Sequence, residues 1–180
     1  GSDGRLIGDM FDGEGFVRGV LRKGKKVEGA HALIAGAGGV GSAIAASLAQ
    51  AGVAHLAIFD ANETTATALL DRLKKYYPHL EVTVGSADPT GFDIVVNATP
   101  LGMRRGDPLP IDIDRISPST FVGEVVMTKE ITPFLEAVRA RGCAFQVGTD
   151  MLFEQIPAYL EFFEFPTTTA DNLRAIAKLG

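Results

Sequence analysis

Between Gly29 and Phe59 the chain carries no Asp, Glu, Lys or Arg, and the run ends on Asp60. Few folds accept so long an uncharged stretch. Within it, "HALIAGAG" is a short apolar run ending in glycines, as a buried parallel strand does. "VGSAIAASLAQAG" then places small and apolar residues at helical spacing and closes on Gly52, and "AHLAIFD" is a second apolar run. Strands covered on both faces, with a closely packed helix between them, leave no place for charge. A membrane span of similar length is not expected, because His31, Gln50 and His55 interrupt the run and its glycines cluster as a turn requires.

The same alternation continues downstream. "NETTATALLDRLKKYYP" reads as a helix ended by Pro78, "EVTVGS" as a third strand, "FDIVVNAT" as a fourth and "STFVGEVV" as a fifth. "TPFLEAVRARG" follows as a helix with Pro133 near its first turn, and "AFQVG" as a sixth strand. The expected class is α/β: a Rossmann-like, doubly wound parallel sheet of about six strands, one domain over residues 1–180. "GEGFVRGVLRKG" before the first strand and "ADNLRAIAKLG" after the last read as flanking helices. "YLEFFEF" adds an apolar tail richer in aromatics than an exposed tail normally is.

Composition narrows the function classes. A formal net charge of -5 disfavours a nucleic-acid partner, which requires a dense basic surface. The one basic cluster, "RKGKK" (residues 22–26), reads as a solvated helix end. Cys143 is the only cysteine, so no intrachain disulfide can form, and the chain reads as cytoplasmic with Cys143 buried in an apolar run. His31, His55 and His79 lack ligand spacing, and no metal site is expected. The opening "GSDGRLIGD" carries charge and lacks an apolar segment, so it does not read as a signal peptide.

Gly36-Ala37-Gly38-Gly39-Val40-Gly41 fits G-x-G-x-x-G directly after a strand and at the start of a helix. Gly36 permits the tight turn, Gly38 lets backbone N–H groups approach a pyrophosphate, and Gly41 allows close helix packing. The helix N-terminus would then face the anion. Asp60 stands about 20 residues further on, where a carboxylate can accept both hydroxyls of the adenosine ribose. A carboxylate there repels a 2′-phosphate, and "ANETTATA" after it has no Arg or Lys to hold one, so NAD is favoured over NADP. A cap on the following helix is the structural alternative for Asp60. "NATPLGM" follows the fourth strand at its carboxyl end, the edge where open α/β sheets bind ligands. Asn97, Thr99, Pro100 and Leu101 are its candidate cofactor residues.

Together, "DGEGF", "GAGGVGSAIAASLA", "NATPLGM", "TPFLEAVRARG" and "GTDMLFEQ" resemble, in order and separation, the cofactor-binding domain of the shikimate/quinate dehydrogenase family. The resemblance implies hydride transfer between a nicotinamide and a ring carbon of a cyclic hydroxy acid, with a Lys–Asp pair handling the alcohol proton. It implies that Asp12 partners the lysine and binds substrate, that Gln155 contacts substrate, and that Val125, Gly148 and Met151 lie near the nicotinamide. Asp12 could instead cap its helix, and Met151 could be packing. Met127 stands where a substrate-contacting Tyr is common, and Met10 and Phe11 replace Asn and Thr. Apolar residues at three contact positions imply a less hydroxylated or differently oriented substrate than shikimate.

The resemblance also implies an amino-terminal domain carrying the catalytic lysine and a serine-rich carboxylate site, which nothing before "GDMFDGEGF" encodes. The expectation is a chain that binds coenzyme without turnover by itself, its end helices and aromatic tail meeting the absent domain; a homodimer is allowed. Two other classes stay open from the residues: a stand-alone NAD-sensing module and a methyltransferase binding S-adenosylmethionine.

Overall fold

The computed structural model describes Gly8 and residues 10–177, so the opening segment read for a signal peptide lies outside the described residues. Six strands form one all-parallel sheet in the order β3-β2-β1-β4-β5-β6. They are β1 (His31–Ala35), β2 (His55–Phe59), β3 (Glu81–Val84), β4 (Ile94–Asn97), β5 (Phe121–Glu124) and β6 (Phe145–Gln146). The strand order reverses between β1 and β4, as in the doubly wound sheet expected from the sequence. Register then sets the carboxyl ends side by side: Ala35 pairs with Phe59 on one side and Asn97 on the other, and Asn97 pairs with Glu124.

Six α-helices cover the sheet: α1 (Asp12–Arg22), α2 (Gly39–Gln50), α3 (Glu63–Tyr76), α4 (Pro133–Ala140), α5 (Gly148–Phe162) and α6 (Ala170–Ile176). Alternate strand residues face two separate cores, as both-sided burial demands. Ala32, Ile34, Leu56, Ile58, Ile94 and Val96 pack with α1, α2 and α3. Leu33, Ala35, Ala57, Val95 and Val122 pack with Phe134, Leu135 and Val138 of α4. A short 3₁₀ turn, Ile113–Arg115, which no sequence signal announced, precedes β5 on this second side.

The flanking helices expected at both ends are present as α1 and α6. The amino-terminal helix α1 is part of the fold: Gly13, Gly15, Phe16, Val17, Gly19 and Val20 are buried against α2 and α5. Its small residues make this possible, since a side chain at Gly13 would run into the Ala43 carbonyl, and one at Gly15 would lie 2.6 Å from the Met151 carbonyl. "GTDMLFEQ" and "YLEFF" belong to one helix, α5, which continues through Pro157. Phe162, the last residue of α5, and Phe163 and Phe165 beyond it stay exposed; Phe11 meets both Phe162 and Tyr159 edge-on, and Phe163 meets Phe162 in the same way. The basic stretch does end a helix, but two of its cations do more than meet water. Arg22 pairs with Glu154 at 3.0 Å and with Asp171, and Lys23 pairs with Asp150 at 2.9 Å, tying α1 to α5 and α6. Cys143 is buried, its thiol pushed up by burial. Among the described residues, no helix is long and apolar enough to cross a membrane.

Close packing of α1 on α2 gives the first test. Gly13→Ala is expected to lower stability by about 1–3 kcal/mol in urea unfolding while helix content is kept. An unchanged midpoint would show that the two helices do not meet at this residue.

Candidate functional site

The strand-order reversal opens a crevice at the carboxyl ends of β1 and β4, and the glycine loop fills the turn between β1 and α2. Its glycines divide the work. Gly36 has φ +103, and a Cβ there would lie 2.5 Å from the Ala98 carbonyl of the neighbouring loop. A Cβ on Gly41 would collide with the Gly36 carbonyl, so α2 can be laid against β1 only without one. Gly38 is different: nothing lies within 4 Å of where its Cβ would be, and its φ of -69 suits any residue. The fold itself does not require glycine at 38.

Neither does the end of α2 have an internal acceptor of the usual kind. Asn62, Thr132 and Thr169 cap α3, α4 and α6 with their side chains, whereas α2 starts from Gly38 with no side-chain cap. The helices α1 and α5 also begin without a side-chain cap, but only α2 starts from the glycine loop, where first-turn amides can meet an anion.

Asp60 follows β2 at the same edge. One carboxylate oxygen accepts the Ala37 amide of the glycine loop at 2.7 Å, and the other accepts the Asn62 amide at 2.8 Å. Asn62, not Asp60, caps α3, accepting the Thr64 amide at 3.1 Å. Asp60 is therefore a strap between loop and helix, and each oxygen keeps lone-pair capacity for a further donor such as a ribose hydroxyl. Glycine loop, uncapped helix and oriented carboxylate together fit a dinucleotide.

On the other side of the crevice the "NATPLGM" loop folds over Asn97. This side chain is fully buried: its oxygen accepts the Thr99 amide (3.0 Å) and hydroxyl (2.6 Å), and its nitrogen donates to the Leu101 carbonyl at 3.1 Å. The Thr99 hydroxyl in turn accepts the Leu101 amide at 3.1 Å. Side chains of Asn97 and Thr99 thus shape the loop, and what remains to meet a ligand is the backbone and surface of Thr99, Pro100 and Leu101. Val125 donates its amide to the Asn97 carbonyl at 3.2 Å, which joins the start of the loop after β5 to the end of β4.

The remaining candidates fall into two neighbouring groups. A Cβ on Gly148 would press on the Val126 carbonyl and lie 2.9 Å from Met127, so the start of α5 touches the loop after β5. Met127 is 49% exposed, whereas Met151 is 1% exposed and packs in the core. Asp12 occupies the first turn of α1, whose N-cap is Phe11 without a side-chain bond, so Asp12 does not serve as the cap. One turn on, the backbone at Gly15 lies against Gln155 of α5, which places the two substrate candidates on adjoining helices.

Comparison with known proteins agrees with this geometry. The shikimate dehydrogenase (NADP(+)) of Rhodospirillum rubrum is 35% identical over 187 residues, covering 99% of this chain and 65% of the relative. A quinate dehydrogenase from Corynebacterium glutamicum, solved in complex with NAD, superposes with a TM-score of 0.82 at 30% identity, covering 93% of this chain and 61% of that one. The chain is a homologue of the shikimate and quinate dehydrogenases. It spans 65% of the length of the Rhodospirillum relative. The ThiF family model also matches residues 17–84, the stretch from within α1 to β3 that includes the glycine loop. A 5-ketofructose reductase of Gluconobacter sp. strain CHM43 in ligand-free form has a TM-score of 0.86 at 29% identity, covering 97% of this chain and 66% of that one. Its coenzyme-binding relatives include both NADP and NAD enzymes.

One residue of this dehydrogenase homologue was missed in the sequence reading. Glu124, last in β5, is fully buried and accepts four hydrogen bonds: from the Asn97 amide nitrogen at 2.8 Å, the Thr132 hydroxyl at 3.0 Å, and the Val125 and Val126 backbone amides at 3.2 and 3.3 Å. The signal was present as a single carboxylate inside "FVGEVV", a strand expected to be covered on both faces. Burial raises the Glu124 carboxyl from 4.5 to about 7, against the lowering effect of its hydrogen bonds.

A carboxyl whose folded value exceeds its unfolded one favours folding fully below the unfolded value and loses that contribution as pH rises through the folded value. Stability of the chain relative to Glu124→Gln is therefore expected to fall between pH 4.5 and about 7, at up to about 1.4 kcal/mol per pH unit, and to level off above. Urea unfolding of both proteins across that range checks it; parallel profiles would show that Glu124 does not titrate there.

Proposed function

We propose that this chain is the coenzyme-binding part of an NAD-dependent dehydrogenase acting on the alcohol of a polyhydroxylated carboxylic acid. The observation that carries the reading is Gly38, a glycine with no demand from the fold, standing between an uncapped helix and the Asp60 carboxylate. The amides from Gly38 to Gly41 hold the pyrophosphate, and Asp60 accepts from the adenosine ribose while keeping Ala37 in place. A 2′-phosphate would meet the Asp60 charge, which favours NAD over NADP.

The Thr99–Leu101 loop, the Val125 carbonyl and Gly148 bound the nicotinamide side. A nicotinamide bound there supplies the hydride acceptor or donor. Asp12 and Gln155 face the substrate, with Asp12 orienting the lysine that the family resemblance implies and favouring its charged form. Met10 and Met127, both about half exposed, present apolar surface where the family has polar contacts, at 53% and 49%. This favours a substrate offering fewer hydroxyls at those positions than shikimate.

Calorimetric titration with NAD, NADP and S-adenosylmethionine tests the reading, with NAD expected to bind most tightly. Asp60→Ala is expected to weaken NAD binding about tenfold or more. Gly38→Ala should do the same while leaving the urea midpoint unchanged. Binding of neither dinucleotide would overturn the coenzyme assignment, and tighter binding of NADP would overturn the preference alone.

A further inference from the structure

Two loops border the nicotinamide side of the crevice, one after β4 and one after β5, and a single side chain joins them. Glu124 Oε1 takes the Asn97 amide nitrogen together with the Val125 and Val126 amides, while Oε2 takes the Thr132 hydroxyl. Asn97 carries the connection to Thr99 and Leu101, and Thr132 carries it to α4 by accepting the Leu135 amide at 3.2 Å. Both Asn97 and Thr132 are fully buried, so neither can exchange its partner for water. A carboxyl at 124 costs desolvation, which is offset by four donors drawn from the end of β4 and the segment after β5.

We propose that Glu124 is a positioning residue for the nicotinamide half of the coenzyme site, clamping the Thr99–Leu101 loop to the Val125–Val126 backbone so that both face the crevice at one fixed separation. The proposal rests on the coenzyme reading above and adds a division to it: the adenine half, built from the glycine loop and Asp60, does not depend on Glu124. Among the described residues, the hydrogen-bond partners of this carboxyl are all uncharged. Asp107, Lys129 and Glu130 on the two loops do not contact it through hydrogen bonds, Asp107 being held by the Gly102 and Arg104 amides. Asp150 on α5 is paired with Lys23 and Arg174.

The test compares NAD with ADP-ribose, which lacks the nicotinamide, by calorimetric titration of the unaltered protein and of Glu124→Ala, Glu124→Gln and Thr132→Val. Amide hydrogen exchange of Thr99 and Leu101 is followed in the same proteins without ligand. Glu124→Ala is expected to lose about tenfold in NAD affinity, to keep its ADP-ribose affinity, and to exchange the two amides faster. Glu124→Gln, which retains an acceptor for Asn97 and can donate to Thr132, should restore most of both. Thr132→Val, which removes one arm only, should fall between them and serves if Glu124→Ala does not fold. Equal loss for NAD and ADP-ribose, or unchanged NAD affinity in both Glu124→Ala and Thr132→Val, would overturn the proposal. If the unaltered protein binds neither ligand, the coenzyme reading fails separately, and unchanged exchange at Thr99 and Leu101 would still overturn the clamp.

Discussion

A parallel sheet covered by helices on both faces has no watery side on which to leave a polar group, and that constraint arranges the rest of the molecule. Along β1, β2 and β4 the two cores take alternate residues, and polar side chains enter only where strands stop. Asp60 comes just after β2, Asn97 is the last residue of β4, and Glu124 is the last of β5. Strand register aligns these ends, since Ala35 pairs with both Phe59 and Asn97, and Asn97 with Glu124. Polar chemistry excluded from the interior is thereby collected at one edge, at the switch point where such sheets bind ligands.

That edge has two halves built on different principles. The glycine-loop half uses absence of side chains: Gly36 and Gly41 let strand, helix and the Ala98 loop approach one another, and Gly38 leaves backbone exposed. Asp60 then fixes the loop by a hydrogen bond to Ala37 rather than by packing. The half formed by the β4 and β5 loops uses buried polar side chains instead. Glu124 and Asn97 satisfy each other and three loop amides between them, so two irregular segments hold their shape in a region with little regular backbone pairing. A bound dinucleotide would span both halves, which makes their relative placement a matter of sheet register.

Much of this was legible in the residues. The uncharged run from Gly29 to Phe59 announced both-sided burial, the glycine spacing announced the turn, and Asp60 marked the strand end. The helix at Pro133 was marked by that proline near its first turn, and the structure adds Thr132 as its cap and Thr169 as the cap of α6. Less legible was α5, where Pro157 and the aromatic cluster hid a continuous helix. The role of α1 was also hidden, because Gly13, Gly15 and Gly19 look like breaks in a helix until α2 and α5 are seen pressed against them.

The amino-acid sequence alone determined the alternation of strands and helices, the parallel sheet and the position of the glycine-rich turn, because these follow from local periodicity and from where charge is missing. Only the tertiary structure decided which polar groups have partners. Asn97 and Glu124 are 27 residues apart and meet across neighbouring strands, and Gly15 and Gln155 meet across two helices. Burial, hydrogen-bond satisfaction and the raised proton affinity of Glu124 are properties of such long-range neighbours, which no local pattern records.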